Sequence, residues 1–144
     1  MKISTKGRYG LRSIIDLIIH SNGEKVPLIN IAERQNISKN YLEQVFASLR
    51  KAGILNSTKG AQGGYYLASK PSEITVGDVL RVLEGDLSVV SIDLDTQDNP
   101  IEQCIQKKVW GKVDRKTQEI IDSISLEDLI NEYRNDNTTL MYYI

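Results

Sequence analysis

Residues 28–67, LINIAERQNISKNYLEQVFASLRKAGILNSTKGAQGGYYL, constrain the fold more than any other stretch. They hold two amphipathic helical patterns split by a short polar break, then two short extended runs around a glycine-rich loop. Pro27 stands just before the first pattern, where its missing N–H costs little. Ile31 and Ala32 supply that helix's inner face, and the small Ala32 lets the two helices approach closely. Asn36 falls where the turn needs a residue tolerant of the left-handed region. Ser38 is placed to cap the second helix. The core face of that helix is Leu42, Val45, Phe46 and Leu49, at spacings of i, i+3, i+4 and i+7. Arg50 and Lys51 complement its C-terminal dipole, and Gly53 ends it.

The opposite face carries Asn40, Glu43, Gln44 and Ala47. Asn and Gln can pair bidentately with adenine, Glu can accept from cytosine, and a small Ala permits close approach to a base. The hairpin runs from Ile54–Thr58 through Lys59-Gly60-Ala61-Gln62-Gly63-Gly64 to Tyr65–Ala68. Its three glycines allow positive φ and a tight turn. Lys59 at its root can reach a phosphate or the minor groove. The loop has neither GxGxxG nor GxxxxGK[ST] order, so it is no nucleotide cradle. A helix, a second helix and a basic hairpin make a winged helix-turn-helix, which sets side chains into DNA grooves. The candidate DNA contacts are Lys2, Ser38, Lys39, Asn40, Glu43, Gln44, Arg50, Lys59, Gly60 and Gln62.

Charge follows the same division. The net charge of -1 hides 11 cations against 4 acids in residues 1–70, while the other 15 acids lie beyond. A basic half that carries the motif is an electrostatic footprint for phosphate. Ahead of the motif, Leu11, Ile14, Ile15 and Ile18 predict a buried helix face that closes at Asn22-Gly23. Behind it, Thr75 and Asp78 form a capping box for a short helix that stops at Gly85.

Residues 86–100 are expected to be a loop. Ile101, Ile105, Val109, Val113, Ile120 and Ile124 then form a long stripe at helical spacing, more apolar face than so small a domain can cover, which predicts a homodimer. Ser125 and Asp128 cap a last helix to about Arg134, followed by a polar linker, Asn135–Thr139, and an apolar end. The expected organisation is a winged domain in 1–85, a loop in 86–100, a dimerisation helix and short capping helix in 101–134 and a tail in 135–144. The fold class is mainly α with a small β-hairpin wing. No apolar run has the length of a membrane span, no signal peptide is evident, and one cysteine excludes an internal disulfide framework, so a cytoplasmic protein is expected. No Ser/His/Asp set, carboxylate pair or metal spacing suggests an enzyme.

MKISTKGRYGLR, IAERQNISKNYLEQVFASLRKAGIL, KGAQGGYYL and ITVGDVLRVLEG together resemble the Rrf family of winged-helix regulators, over almost the whole chain. The resemblance implies a homodimer with crossed long helices on a palindromic operator. It implies base reading by Asn40, Glu43 and Gln44, and a wing contact from Lys59, where much of the family has Arg. Cluster-binding members carry three cysteines around the start of the long helix. Here Cys104 alone matches, the loop offers Asp93, Asp95 and Asp98, and Lys107 stands where the iron–sulfur subgroup has histidine. One soft ligand is too few for such a cluster, so no cofactor and no metal are expected. His20, at the end of the first helix, is the chain's one histidine.

A cluster-free chain resembles the branch of the family that represses cysteine metabolism, and so does the end Leu140-Met-Tyr-Tyr-Ile144. That branch implies cysteine synthase (O-acetylserine thiol-lyase) as a partner. Tyr142, Tyr143 and Ile144 are the candidate contacts, with Ile144 offering its free carboxylate. The alternative within the family is a redox or nitrosative sensor that uses Cys104 or an atypical iron–sulfur cluster.

Overall fold

A computed structural model describes residues 1–91, 93 and 97–142, with side chains to residue 137. Helix α1 spans Thr5–Ser21, α2 Leu28–Gln35 and α3 Lys39–Lys51. Strands β1 (Leu55–Thr58) and β2 (Gly64–Leu67) pair antiparallel, Leu55 opposite Leu67 and Thr58 opposite Gly64. Helix α4 spans Val76–Glu84. A long helical rod follows: α5 (Pro100–Ile105), a π-helical turn (Gln106–Trp110) and α6 (Gly111–Asp122). Helix α7 spans Leu126–Tyr142.

The local signals act where the sequence places them. Asn22 and Asn36 both adopt the left-handed conformation at the ends of α1 and α2. The Ser38 hydroxyl accepts from the Tyr41 amide at 3.4 Å. Thr75 and Asp78 exchange capping bonds of 3.0 Å each, and Ser125 and Asp128 do the same at 2.9 and 3.0 Å. Leu42, Val45, Phe46 and Leu49 of α3 are buried beside Ile14, Leu17 and Ile31. Burying each such side chain contributes about 1.5–3 kcal/mol, so this cluster fixes how α3 sits on α1 and α2.

Several expectations are corrected. The buried face of α1 is rotated: Gly7, Gly10, Ser13, Ile14, Asp16 and Leu17 are buried, while Leu11, Ile15 and Ile18 are half-buried. Close packing on α4 requires the small residues, since a Cβ on Gly10 would meet Leu83 at 2.2 Å. Glu84 of α4 accepts from the Ser4 amide at 2.9 Å, the Ser4 hydroxyl at 2.7 Å and the Gly7 amide at 3.0 Å, capping α1 from across the chain.

Residues 86–100 are not loop throughout, because Pro100 already opens α5, capped by the Asn99 side chain. The last helix does not stop at Arg134. It continues to Tyr142, so 135–139 is helix and not a linker. The segment 101–134 is tied back to the winged domain. Thr75 and Ser125 form an isolated β-bridge, with Val76 N–H donating to Ile124 O and Leu126 N–H to Ile74 O, both at 2.9 Å. Leu126 is buried in the main core, and Ile121, Ile124 and Leu129 pack on Val76, Leu80 and Leu87. Ile124 is partly buried against the domain's own second cluster. Among the described residues, no helix is long and apolar enough to cross a membrane.

Candidate nucleic-acid interface

Helix α3 is held by its buried face, so its other face is presented outward. Asn40, Glu43, Gln44 and Ala47 are all exposed. The wing is docked beside them. The Phe46 and Tyr65 rings meet edge to face at 5.1 Å, and the Arg50 guanidinium donates to the Ser57 hydroxyl at 3.2 Å. Val26 adds a third, one-residue strand: its N–H donates to Tyr65 O and its carbonyl accepts from Tyr65 N–H, both at 2.9 Å. Gly64 makes this possible, since a Cβ there would lie 2.7 Å from the Val26 backbone. Of the wing glycines only Gly60 uses positive φ, at 106°.

These elements wall one shallow depression. Lys39, Glu43, Ala47 and Arg50 come from α3, Ser57, Thr58, Lys59 and Gly60 from the wing, and Pro27, Leu28 and Ile29 from the start of α2. The first turn of α2 has no side-chain cap. The Asn30 amide is taken by the Pro27 carbonyl at 3.1 Å, and the N-terminal end of a helix with no side-chain cap suits phosphate. Lys39 and Glu43 lie 3.9 Å apart and both are half exposed, a loose pair of small energy that leaves either side chain free to meet DNA.

The expected contact residues divide. Lys39, Glu43, Arg50, Lys59 and Gly60 share the depression, while Asn40 and Gln44 lie exposed on the adjoining face of α3. Ser38 has its hydroxyl engaged as a cap. Gln62 lines a different cleft, against the end of α1. Lys2 sits exposed at the Glu84-capped start of α1 and is not among the residues that wall the depression. Sequence reasoning missed Ile29, Ser57 and Thr58, which become visible once the wing is folded against α3.

The helix-turn-helix is braced from behind. Asp16 of α1 is buried and takes Arg34 of α2 on both oxygens, at 2.6 to 3.1 Å, with Gln35 donating at 2.7 Å. Arg12 donates to the Gln35 carbonyl at 3.0 Å. His20, on the same helix, places Nδ1 2.8 Å from the Asp16 carbonyl oxygen. On the C-terminal side, Arg81 of α4 donates to Asp122 at 2.7 Å and to Gln118 at 3.1 Å. The hydrogen bond from Arg81 holds the Asp122 carboxyl below its ordinary range, and the same bond raises Arg81.

The family model described as Rrf2, iron-dependent transcriptional regulator, matches residues 3–132. The chain belongs to the Rrf2 family. It is 41% identical over 144 residues, all of both chains, to the HTH-type transcriptional regulator CymR of Bacillus subtilis (strain 168). The solved structure described as CymR (YrzC), the global cysteine regulator of B. subtilis, superposes with a TM-score of 0.77 at 42% identity, covering 92% of this chain and 98% of that one. The T. potens IscR structure gives 0.73 at 44%, covering 92% and 88%. This Rrf2-family chain is therefore a transcriptional regulator with a winged-helix fold, and not an enzyme.

The family description names iron, but the donors here do not fit an iron–sulfur cluster. Cys104 is the chain's one cysteine and is exposed. Among the described residues no three His, Cys, Asp or Glu side chains converge. Asp95 lies outside the described residues, as do Tyr143 and Ile144, while Tyr142 ends α7.

Proposed function

We propose that this chain is a cytoplasmic repressor that occupies palindromic operators as a homodimer and controls genes of cysteine and sulfur metabolism. The observation that carries the DNA reading is the fixed juxtaposition of the exposed α3 face with Lys59 of the wing, locked by Phe46–Tyr65 and Arg50–Ser57. Asn40, Glu43 and Gln44 enter the major groove and read base edges, while Lys39, Arg50 and Lys59 meet phosphate. Phosphate contacts supply affinity and a steep salt dependence; α3 supplies base choice.

The dimer reading rests on Ile101, Val109, Val113 and Ile120, which are exposed in the single chain. Two-fold symmetry in the protein then matches two-fold symmetry in the operator. The sulfur reading rests on the full-length similarity to the relative described as a cysteine regulator. Cysteine synthase is its proposed partner, with the carboxylate of Ile144 and the side chains of Tyr142 and Tyr143 as the docking peptide. Cys104 is an exposed thiol, and a Cys104→Ser variant that regulates normally would exclude a sensing role for it.

The test is light scattering after size-exclusion chromatography of the chain mixed with cysteine synthase, with and without O-acetylserine. A complex that O-acetylserine dissociates, and that a chain lacking Ile144 does not form, is expected. A chain lacking Ile144 that still binds the enzyme would overturn the docking role of the tail. No complex in any condition would overturn the partnership.

A further inference from the structure

The long rod carries one local irregularity, the π-helical turn Gln106–Trp110, closed by the Gly111 N–H donating to the Gln106 carbonyl five residues back. The backbone on both sides is ordinary right-handed helix: Gln106 has φ -56° and ψ -46°, Gly111 φ -62° and ψ -34°. Such a turn absorbs one extra residue without breaking the helix.

That residue decides where the apolar side chains point. An α-helix turns about 100° per residue. On a regular helix Val113 would lie about 120° around the axis from Ile101, and Ile120 about 100°. The apolar residues would then wind through about 120° of the helix surface, with Ile105 about 40° and Val109 about 80° from Ile101. With one residue absorbed, those angles become about 20° and 0°. Ile101, Val113 and Ile120 then share one line, with Ile105 about 40° away and Val109 within the turn. All four are open to solvent in the single chain: Ile101 is 73% exposed, Val109 42%, Val113 42% and Ile120 59%. The residues that touch the chain's own domain lie elsewhere on the rod. Asp114 accepts from the Val89 amide at 2.9 Å, Gln118 and Asp122 hold Arg81, and Ile121 packs on the α4 side.

Gly111 permits the turn. A Cβ there would stand 2.9 Å from the Gln106 carbonyl oxygen. That oxygen is backbone and accepts the bond that closes the turn, so no side-chain rotation relieves the contact. In a regular helix the same change favours the helix, because Ala is about 1 kcal/mol better there than Gly.

We propose that the Gln106–Gly111 turn is an alignment device that gathers Ile101, Ile105, Val109, Val113 and Ile120 into one straight seam for a second copy of this chain, and that Gly111 is its positioning residue. The inference rests on the dimer reading above. A seam on one line can meet its two-fold mate along its whole length, whereas a stripe that winds through about 120° turns away from it.

The test compares four full-length proteins by sedimentation equilibrium over a dilution series: wild type, Gly111→Ala, a deletion of Lys108, and both changes together. Far-UV circular dichroism confirms that each is folded. Gly111→Ala should raise the dimer dissociation constant at least about tenfold, as a steric contact in a packed site does. Deleting Lys108 alone removes the absorbed residue, leaves a regular helix in the same phase, and should keep the dimer. The deletion should also rescue Gly111→Ala, since Ala is then an ordinary helical residue. A wild type that stays monomeric would overturn the dimer reading itself. A dimeric wild type with Gly111→Ala unchanged, or with the Lys108 deletion monomeric, or with no rescue, would overturn the alignment role alone.

Discussion

Arg34→Ala should be one of the most damaging single changes outside the core, and the geometry gives its size. Asp16 has a side chain 2% exposed, whereas Arg34 is 33% exposed. Without Arg34 the carboxylate keeps one neutral donor, Gln35 at 2.7 Å, and the His20 ring, with Nδ1 3.6 Å from the nearer oxygen. Stranding a buried charge costs about 3–5 kcal/mol. Arg34 reaches solvent, which screens the lost pair, so the lower end applies, about 3 kcal/mol. At about 2–4 °C per kcal/mol, the melting temperature falls by about 6–12 °C. Asp16→Asn keeps the shape and leaves Arg34 free to turn to water, so it should cost only about 1 kcal/mol. The double variant should recover most of the Arg34→Ala loss, because no buried charge remains. Urea unfolding of all three at one fixed protein concentration measures this, since dimer stability depends on concentration. Arg34→Ala within about 1 kcal/mol of wild type, or a double variant no better than the single one, would refute the reasoning.

Three further predictions concern the C-terminal tether and the DNA face. Because the hydrogen bond from Arg81 lowers the Asp122 pKa, the tether contributes stability above the unfolded carboxyl value, about 3.9, and loses it as pH falls through the folded value. The difference in stability between wild type and Asp122→Asn should be present at neutral pH and close below about pH 4; a difference that persists in acid would show that Asp122 acts otherwise. On the DNA side, Lys59→Ala should weaken binding evenly across sequences and reduce the salt slope by about one unit. Gln44→Ala should instead relax preference at one base pair, and wild-type binding by both variants would contradict the assigned interface.

What was legible in the sequence was mostly what neighbours in the chain decide. Asn36 and Ser38 mark the turn of the motif, and Thr75 and Ser125 open their helices, because caps are local bonds with fixed spacing. The α3 core face was legible because four large apolar residues share one period. The α1 face was not, since its contacts are glycines, whose burial comes from what α4 brings to them. Glu84 caps α1 from 80 residues away, and Asp16 meets Arg34 across 18. Neither pairing leaves a periodic trace. The third strand at Val26 is a single residue and carries no alternation to detect. Residues 135–139 are rich in Asn, Asp and Thr, which favour caps and turns, yet they continue α7. On the long rod the spacing of Ile101, Ile105, Val109 and Val113 announced a stripe, but four-residue steps drift about 40° each on a regular helix. The π turn that corrects the drift is invisible without backbone coordinates. The candidate DNA face was legible on α3 and at Lys59, while its completion by Ile29, Ser57 and Thr58 depended on how the wing docks.

The central claim, that a dimer of this chain recognises a two-fold operator through α3 and the wing, is tested most directly by selection from a pool of random-sequence duplexes with the purified full-length protein at near-physiological salt. The account predicts enrichment of an inverted repeat whose half-sites lie about one helical turn or a multiple of it apart, centre to centre. Binding that selects no sequence, or that selects an asymmetric site, would contradict it.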